Sequence, residues 1–130
     1  MSAKNPSSKD SILVQGIEFE ARHGYTAAER KLTRRFRCHL ELFCDLSASA
    51  RSDRIQDTVD YRAVCQMAVG IGTSRTFRLL EALAGAILEA IQERYPDLAV
   101  SITVEKMAPP CPGAPAFSGV KLFRESRLSR

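Results

Sequence analysis

Four side chains stand apart from the pattern of the chain around them. Glu29 follows the turn-forming run Gly24-Tyr25-Thr26-Ala27-Ala28, and Tyr61 closes Thr58-Val59-Asp60-Tyr61 where a helical pattern begins. Glu81 lies in Leu79-Leu80-Glu81-Ala82-Leu83, beside an apolar stripe, and Lys106 ends an alternating strand just before a Pro-rich stretch. A carboxylate on the margin of a buried face needs partners, and the N–H groups of a ligand would serve. A lysine partly withdrawn from water, a phenol and a second carboxylate are the groups that donate, accept and orient protons. Each position has a structural alternative. Glu29 could be a solvated charge after a turn, and Tyr61 an aromatic edge of the core with its hydroxyl in water. Glu81 could be a surface glutamate at the edge of packing, and Lys106 an ordinary charged strand end. Taken alone, the four do not name a reaction.

The elements that must position them follow from periodicity. Ile12 to Glu20 reads as a strand with apolar Ile12, Val14, Ile17 and Phe19, and Gly24 supplies the turn after it. In Arg35 to Asp45, Phe36, Cys38, Leu40, Leu42 and Cys44 alternate with Arg35, Arg37, His39, Glu41 and Phe43. Period 2 sends one set to a helix-covered face and the other to water or a wet channel. Ser47 to Asp57 is small and polar and reads as a connection. Val64, Met67, Ala68 and Ile71 mark a helix from about Asp60, which Gly70 and Gly72 weaken and end. A second helix is expected over Phe77 to Arg94, with Thr76 as N-cap, a stripe of Leu80, Leu83, Ala84, Ile87 and Ile91, and Pro96 beyond its end. Val100, Ile102 and Val104 mark a third strand. Met107 to Ala116 is a loop, and Ser118 to Phe123 a fourth strand. The order β-β-α-α-β-β predicts an α+β layer with two helices on one face of a four-stranded antiparallel sheet. Such a sheet has two open edges, so side-by-side assembly is expected.

The bulk numbers set the bounds. The chain has 130 residues, a net charge of +4, 45% hydrophobic and 26% charged residues. That is one domain of ordinary globular composition, large enough to fold without a disulfide or metal staple. We expect a short disordered tail over 1–9, the domain over 10–125 and a second tail over 126–130. Cys38, Cys44, Cys65 and Cys111 contain no C-x-x-C pair, and only His23 and His39 could join them, which argues against zinc. They read as buried, reduced thiols of a cytoplasmic protein. No apolar run approaches the ~20 residues of a membrane span, and the polar start lacks the core of a secretory signal.

Several short pieces fall together in order and spacing: His23-Gly24, Glu29-Arg30, Ser52-Asp53, Thr58-Val59-Asp60-Tyr61-Arg62, Leu80-Glu81-Ala82-Leu83-Ala84, Lys106, and Val120 to Arg124. Over about Asp10 to Arg124 this pattern resembles the dihydroneopterin aldolases of folate biosynthesis. The resemblance implies the tunnelling fold, in which four subunits join their sheets into a barrel and two rings commonly stack as an octamer. The wall of the tunnel would then take Arg35, Arg37, His39 and Glu41. It implies a lyase that cleaves the C1′–C2′ bond of 7,8-dihydroneopterin, giving 6-hydroxymethyl-7,8-dihydropterin and glycolaldehyde. The C6=N5 imine of the substrate would accept the electrons, with no metal and no organic cofactor.

By the same resemblance, Glu81 would hold the pterin amino group and N3–H, each charge-assisted bond contributing roughly 1.5–3 kcal/mol. Val59, Asp60 and Leu80 would complete that recognition, through backbone groups around Val59 and Leu80. Lys106 would assist proton transfer near N5, Tyr61 of a neighbouring subunit would help move the proton to C1′, and Glu29 would bind the side-chain hydroxyls and orient water. One departure from the family pattern is plain: Met107-Ala108 stands between Lys106 and Pro109-Pro110, where lysine is usually followed directly by proline. Three rivals remain at this level. The same residues would suit a 2′-epimerase, with Arg22, Arg30, Arg51 and Arg54 available to a triphosphate. A protein that only binds a pterin is another. Lys31 to Arg37 carries four basic residues and a phenylalanine, which would suit a nucleic-acid-binding module.

Overall fold

A computed structural model describes residues 9–129. All but Lys9 of the expected N-terminal tail lies outside them. Four strands, β1 (Ser11–Ala21), β2 (Arg34–Phe43), β3 (Ala99–Met107) and β4 (Phe117–Arg124), form one sheet in the order β1-β2-β3-β4. Every neighbouring pair is antiparallel. Between β2 and β3 come a short helix α1 (Ser47–Ser52) and two long ones, α2 (Tyr61–Ser74) and α3 (Leu80–Arg94). The α+β class and the β-β-α-α-β-β order of the main elements are as expected.

The alternation in β2 does what its period demands. Phe36, Cys38, Leu40 and Leu42 are buried against the helices, while Arg35, Arg37, His39 and Glu41 line the far face. From β3, Val100, Ile102 and Val104 enter the same core, which Val64 and Ala68 of α2 and Leu83, Ala84, Ile87 and Ile91 of α3 complete. Each large side chain buried there contributes about 1.5–3 kcal/mol. On the far face polar groups pair across strands: Arg37 forms an ion pair with Glu18 at 3.0 Å, and His39 Nε2 donates a hydrogen bond to Glu105 Oε1 at 3.0 Å. A bulge at Gly16, whose φ is +76°, lets its N–H donate to His39 Nδ1 at 2.9 Å.

Strand ends shift by one or two residues from expectation, β2 ending at Phe43 rather than Asp45, and three stretches differ more. Ser47 to Asp57 is not merely a connection. Asp45 accepts from Ser47 N and Oγ and turns the chain into α1, and a 3-10 turn follows at Ile55–Asp57. Helix α2 does not end at its glycines but runs on to Ser74. Gly72 is buried on the helix face carrying Val64 and Ala68, and a Cβ there would lie 2.4 Å from the Phe19 ring. It is a contact glycine, not a terminator. Helix α3 begins at Leu80 rather than Phe77, and Thr76 does not cap it: the N-cap is Leu79, without a capping side chain. The reason is that Phe77 is engaged elsewhere, its N–H by His23 Nδ1 at 3.0 Å and its carbonyl by Gly24 N–H at 3.0 Å. Arg75 to Leu79 is therefore a strap laid against the loop after β1.

The last described residues fold back on the domain. Arg127 N–H donates to the Pro96 carbonyl, Gln92 donates to the Glu125 carbonyl, and Ser126 is buried. No helix among the described residues is long and apolar enough to cross a membrane. The cysteines are free thiols but not all buried: Cys38 and Cys44 are, Cys65 is half-buried and Cys111 is exposed. Burial pushes the Cys38 thiol up to about 12, so it stays protonated.

Candidate active site

A cleft of about 380 Å³ opens between the loop after β1, the start of α3 and the end of β3. That is within the size range of small-molecule sites. Its floor is Lys106. Along β3 the core-facing series Val100, Ile102, Val104 has Lys106 as its next member, and the residue is accordingly only 6% exposed. A buried ammonium must be paired. Nζ donates to the His23 carbonyl at 3.0 Å and to Glu29 Oε2 at 2.8 Å.

Glu29 is brought there by a reciprocal turn. Its Oε1 accepts from Thr26 N at 3.2 Å and Thr26 Oγ1 at 3.1 Å, while its own N–H donates to Thr26 Oγ1 at 3.1 Å. This is the capping-box exchange, built on Thr26-x-x-Glu29. Gly24 makes room, since a Cβ there would lie 2.4 Å from Glu29 Cβ. The Lys106 ammonium, and after it the Thr26 N–H, hold the Glu29 carboxyl down to about 2. Arg30 secures the loop by donating to the Gly24 and Tyr25 carbonyls at 3.0 and 2.7 Å.

The opposite wall is the first turn of α3. Leu80 and Glu81 line the cleft, and no side chain caps the helix, so its first N–H groups stay open to a ligand. Glu81 is exposed, and its side chain makes no hydrogen bond or ion pair among the described residues. One side of the cleft thus holds a buried lysine paired with a half-buried carboxylate, and the other a carboxylate with all its acceptor capacity unused. The first can move protons and bind hydroxyls, and the second can hold a group with adjacent N–H donors.

Of the residues expected from the sequence, the structure brings together Glu29, Leu80, Glu81 and Lys106. Within one chain it does not add Val59, Asp60 or Tyr61. Val59 is buried in the core, Asp60 caps α2 by accepting from Arg62 N–H at 3.0 Å, and Tyr61 is 58% exposed at the helix start. None of the three lines the cleft. Sequence reasoning gave no place in the site to His23, Arg78, Cys111 or Ser118, and gave Gly24 only a turn; all five line the cleft. The signal for His23 was its place directly before Gly24, ahead of Glu29. Arg78 and Ser118 carried none. The arginines considered for a triphosphate are absent from the cleft, Arg22 bonding Thr33 and Arg30 the loop carbonyls. Of the basic stretch considered for nucleic acid, Arg35 and Arg37 lie beside Glu18.

Comparison with known proteins agrees with this geometry. The family model FolB, dihydroneopterin aldolase, matches residues 12–123. A dihydroneopterin aldolase of Methylorubrum extorquens is 35% identical over 116 residues, covering 88% of this chain and 89% of that protein. One of Streptococcus pyogenes is 34% identical over 117 residues, covering 89% and 98%. In three dimensions the chain is similar to the crystal structure of Escherichia coli dihydroneopterin aldolase in complex with neopterin. There the TM-score is 0.80 and the identity 22%, over 88% of this chain and 98% of that one. The chain has the fold of a single tunnelling-fold subunit, as expected from the sequence, and it belongs to the dihydroneopterin aldolase family.

Proposed function

We propose that the protein is a dihydroneopterin aldolase acting on 7,8-dihydroneopterin in the cytoplasm. The observation that carries this reading is the buried Lys106, paired with the half-buried Glu29, facing the unpaired Glu81 across one cleft. Glu81 binds the pterin amino group and N3–H, with the open first turn of α3 at Leu80 beside it. That places the substrate side chain toward Lys106 and Glu29.

Retro-aldol cleavage removes the proton of the C2′ hydroxyl, and C2′ leaves as the aldehyde carbon of glycolaldehyde. The electron pair of the C1′–C2′ bond forms C1′=C6, the C6=N5 imine takes up the charge, and N5 is protonated. Protonation of C1′ and loss of the N5 proton give 6-hydroxymethyl-7,8-dihydropterin. Lys106 serves the proton traffic at N5, and Glu29 orients the side-chain hydroxyls and water. Tyr61 of a neighbouring subunit supplies the proton path to C1′, and Val59 and Asp60 accompany it into the site. Assembly through the free edges of β1 and β4, as a tetrameric ring and a stacked octamer, completes the site. Re-addition of glycolaldehyde to the other face gives 2′-epimerase side activity through the same residues.

The test is incubation with 7,8-dihydroneopterin in the presence of EDTA, with products followed by chromatography and Lys106→Ala and Glu81→Ala run alongside. The expected result is 6-hydroxymethyl-7,8-dihydropterin from the wild type, with kcat reduced about 10²–10⁴-fold in Lys106→Ala and KM raised in Glu81→Ala. Epimer as the sole product would make the protein an epimerase. Binding without turnover would make it a pterin-binding protein.

A further inference from the structure

His23 touches both halves of the cleft. Its ring is 2% exposed, packed edge-on to Phe36 at 4.9 Å between centroids and tilted against Phe77 at 5.6 Å. The hydrogen bonds determine its protonation state. Phe77 N–H donates to Nδ1 at 3.0 Å, so Nδ1 carries a lone pair. Nε2 lies 2.8 Å from the Gly72 carbonyl, an acceptor, so Nε2 carries the proton. The ring is a neutral imidazole with both nitrogens used. It ties the end of α2 to the strap that leads into Leu80 and Glu81. Its own backbone carbonyl receives Lys106 Nζ.

We propose that His23 is a positioning residue that, as a neutral imidazole, couples the placement of Lys106 on the cleft floor to the placement of the α3 turn bearing Glu81. This inference rests on the aldolase reading above. Protonation would leave Phe77 N–H without an acceptor and remove one of the two bonds that hold the strap at Phe77, leaving that from Gly24 N–H. The charged groups near the ring are Lys106 of β3 with its partner Glu29, and Arg75, whose guanidinium lies over the Phe77 ring at 4.8 Å. Gly72 of α2 and Phe36 of β2 face it without charge. Burial, and with it the Lys106 charge, lowers the His23 pKa from 6.5, in keeping with a ring that works neutral.

The experiment compares wild type, His23→Asn and His23→Phe by kcat and KM from pH 5 to 8.5, with circular dichroism at each pH to confirm folding. Asn keeps an uncharged acceptor for Phe77 N–H, whereas Phe keeps the ring and loses both bonds. Wild-type kcat/KM is expected to fall about tenfold per pH unit below the His23 pKa. His23→Phe at pH 8 should lose at least about tenfold in kcat and gain a similar factor in KM, because both walls move. His23→Asn should recover most of that loss and show no acid limb. Wild-type kcat and KM in folded His23→Phe, or an acid limb retained by His23→Asn, would overturn the proposal. Should His23→Phe not fold, the His23→Asn pH profile decides alone. A wild type without turnover refutes the aldolase reading instead. The His23 inference is then read from neopterin affinity, where at least about tenfold weakening in His23→Phe supports it and an unchanged affinity overturns it.

Discussion

Lys106 and Glu29 illustrate how a charge is kept usable inside a protein. An isolated ammonium in the core would cost several kcal/mol. Here the strand end delivers it to one carbonyl and one carboxylate, and the Glu29 side chain remains 24% exposed at the cleft. The pair has a consequence for pH. The Glu29 carboxyl is lowered in the folded state from 4.5 to about 2. The unfolded chain therefore binds the proton first as acid is added. The stabilisation by ionised Glu29 should be present in full above pH 4.5 and fade as pH falls toward about 2. Urea midpoints of wild type and Glu29→Gln should differ by a constant amount at neutral pH and converge through that window. Curves that stay parallel down to pH 2.5 would show that the pair adds no stability.

Among the elements, the least regular piece matters most. The strap Arg75 to Leu79 decides where α3 begins, and with it where Leu80 and Glu81 stand. Its anchorage depends on α2 reaching Gly72, whose carbonyl receives the His23 ring and whose missing Cβ lets the Phe19 ring approach. Gly72→Ala would force that ring aside in a packed core. Overpacking of this kind costs about 1–3 kcal/mol. We expect Gly72→Ala to be destabilised by that amount in urea unfolding, despite the better helix propensity of alanine. Gly70→Ala, where a Cβ meets nothing within 4 Å, should be neutral or stabilising. Equal behaviour of the two variants would refute the close-approach account.

In the molecule as a whole, one chain holds four of the proposed site residues and keeps Val59, Asp60 and Tyr61 away from them. If Tyr61 acts on the substrate of a neighbouring subunit, sites can be rebuilt from inactive parts. Co-refolding Tyr61→Ala with Lys106→Ala in equal amounts should restore about one quarter of the wild-type sites, since each needs one intact residue from each partner. Either variant refolded alone should stay inactive. No recovery in mixed oligomers, verified as mixed by mass spectrometry, would remove Tyr61 from the neighbour's site.

Much was legible in the residues themselves. The alternation of β2 set the two faces of the sheet, because strand side chains must point to opposite sides. Lys106 shares the parity of Val100, Ile102 and Val104, although as a charge at a strand end it also reads as an ordinary exposed lysine. Thr26-x-x-Glu29 carried its own turn chemistry. What periodicity misjudged were boundaries governed by distant groups: α2 passing through its glycines because Phe19 lies against Gly72, and α3 starting late because His23 holds Phe77. The site itself belongs to that second kind. Lys106 meets Glu29 across 77 positions and His23 across 83. Local pattern records which face a side chain takes, but only the packed chain brings such distant faces together, since their proximity is set by the sheet register and the shared core rather than by their neighbours in sequence.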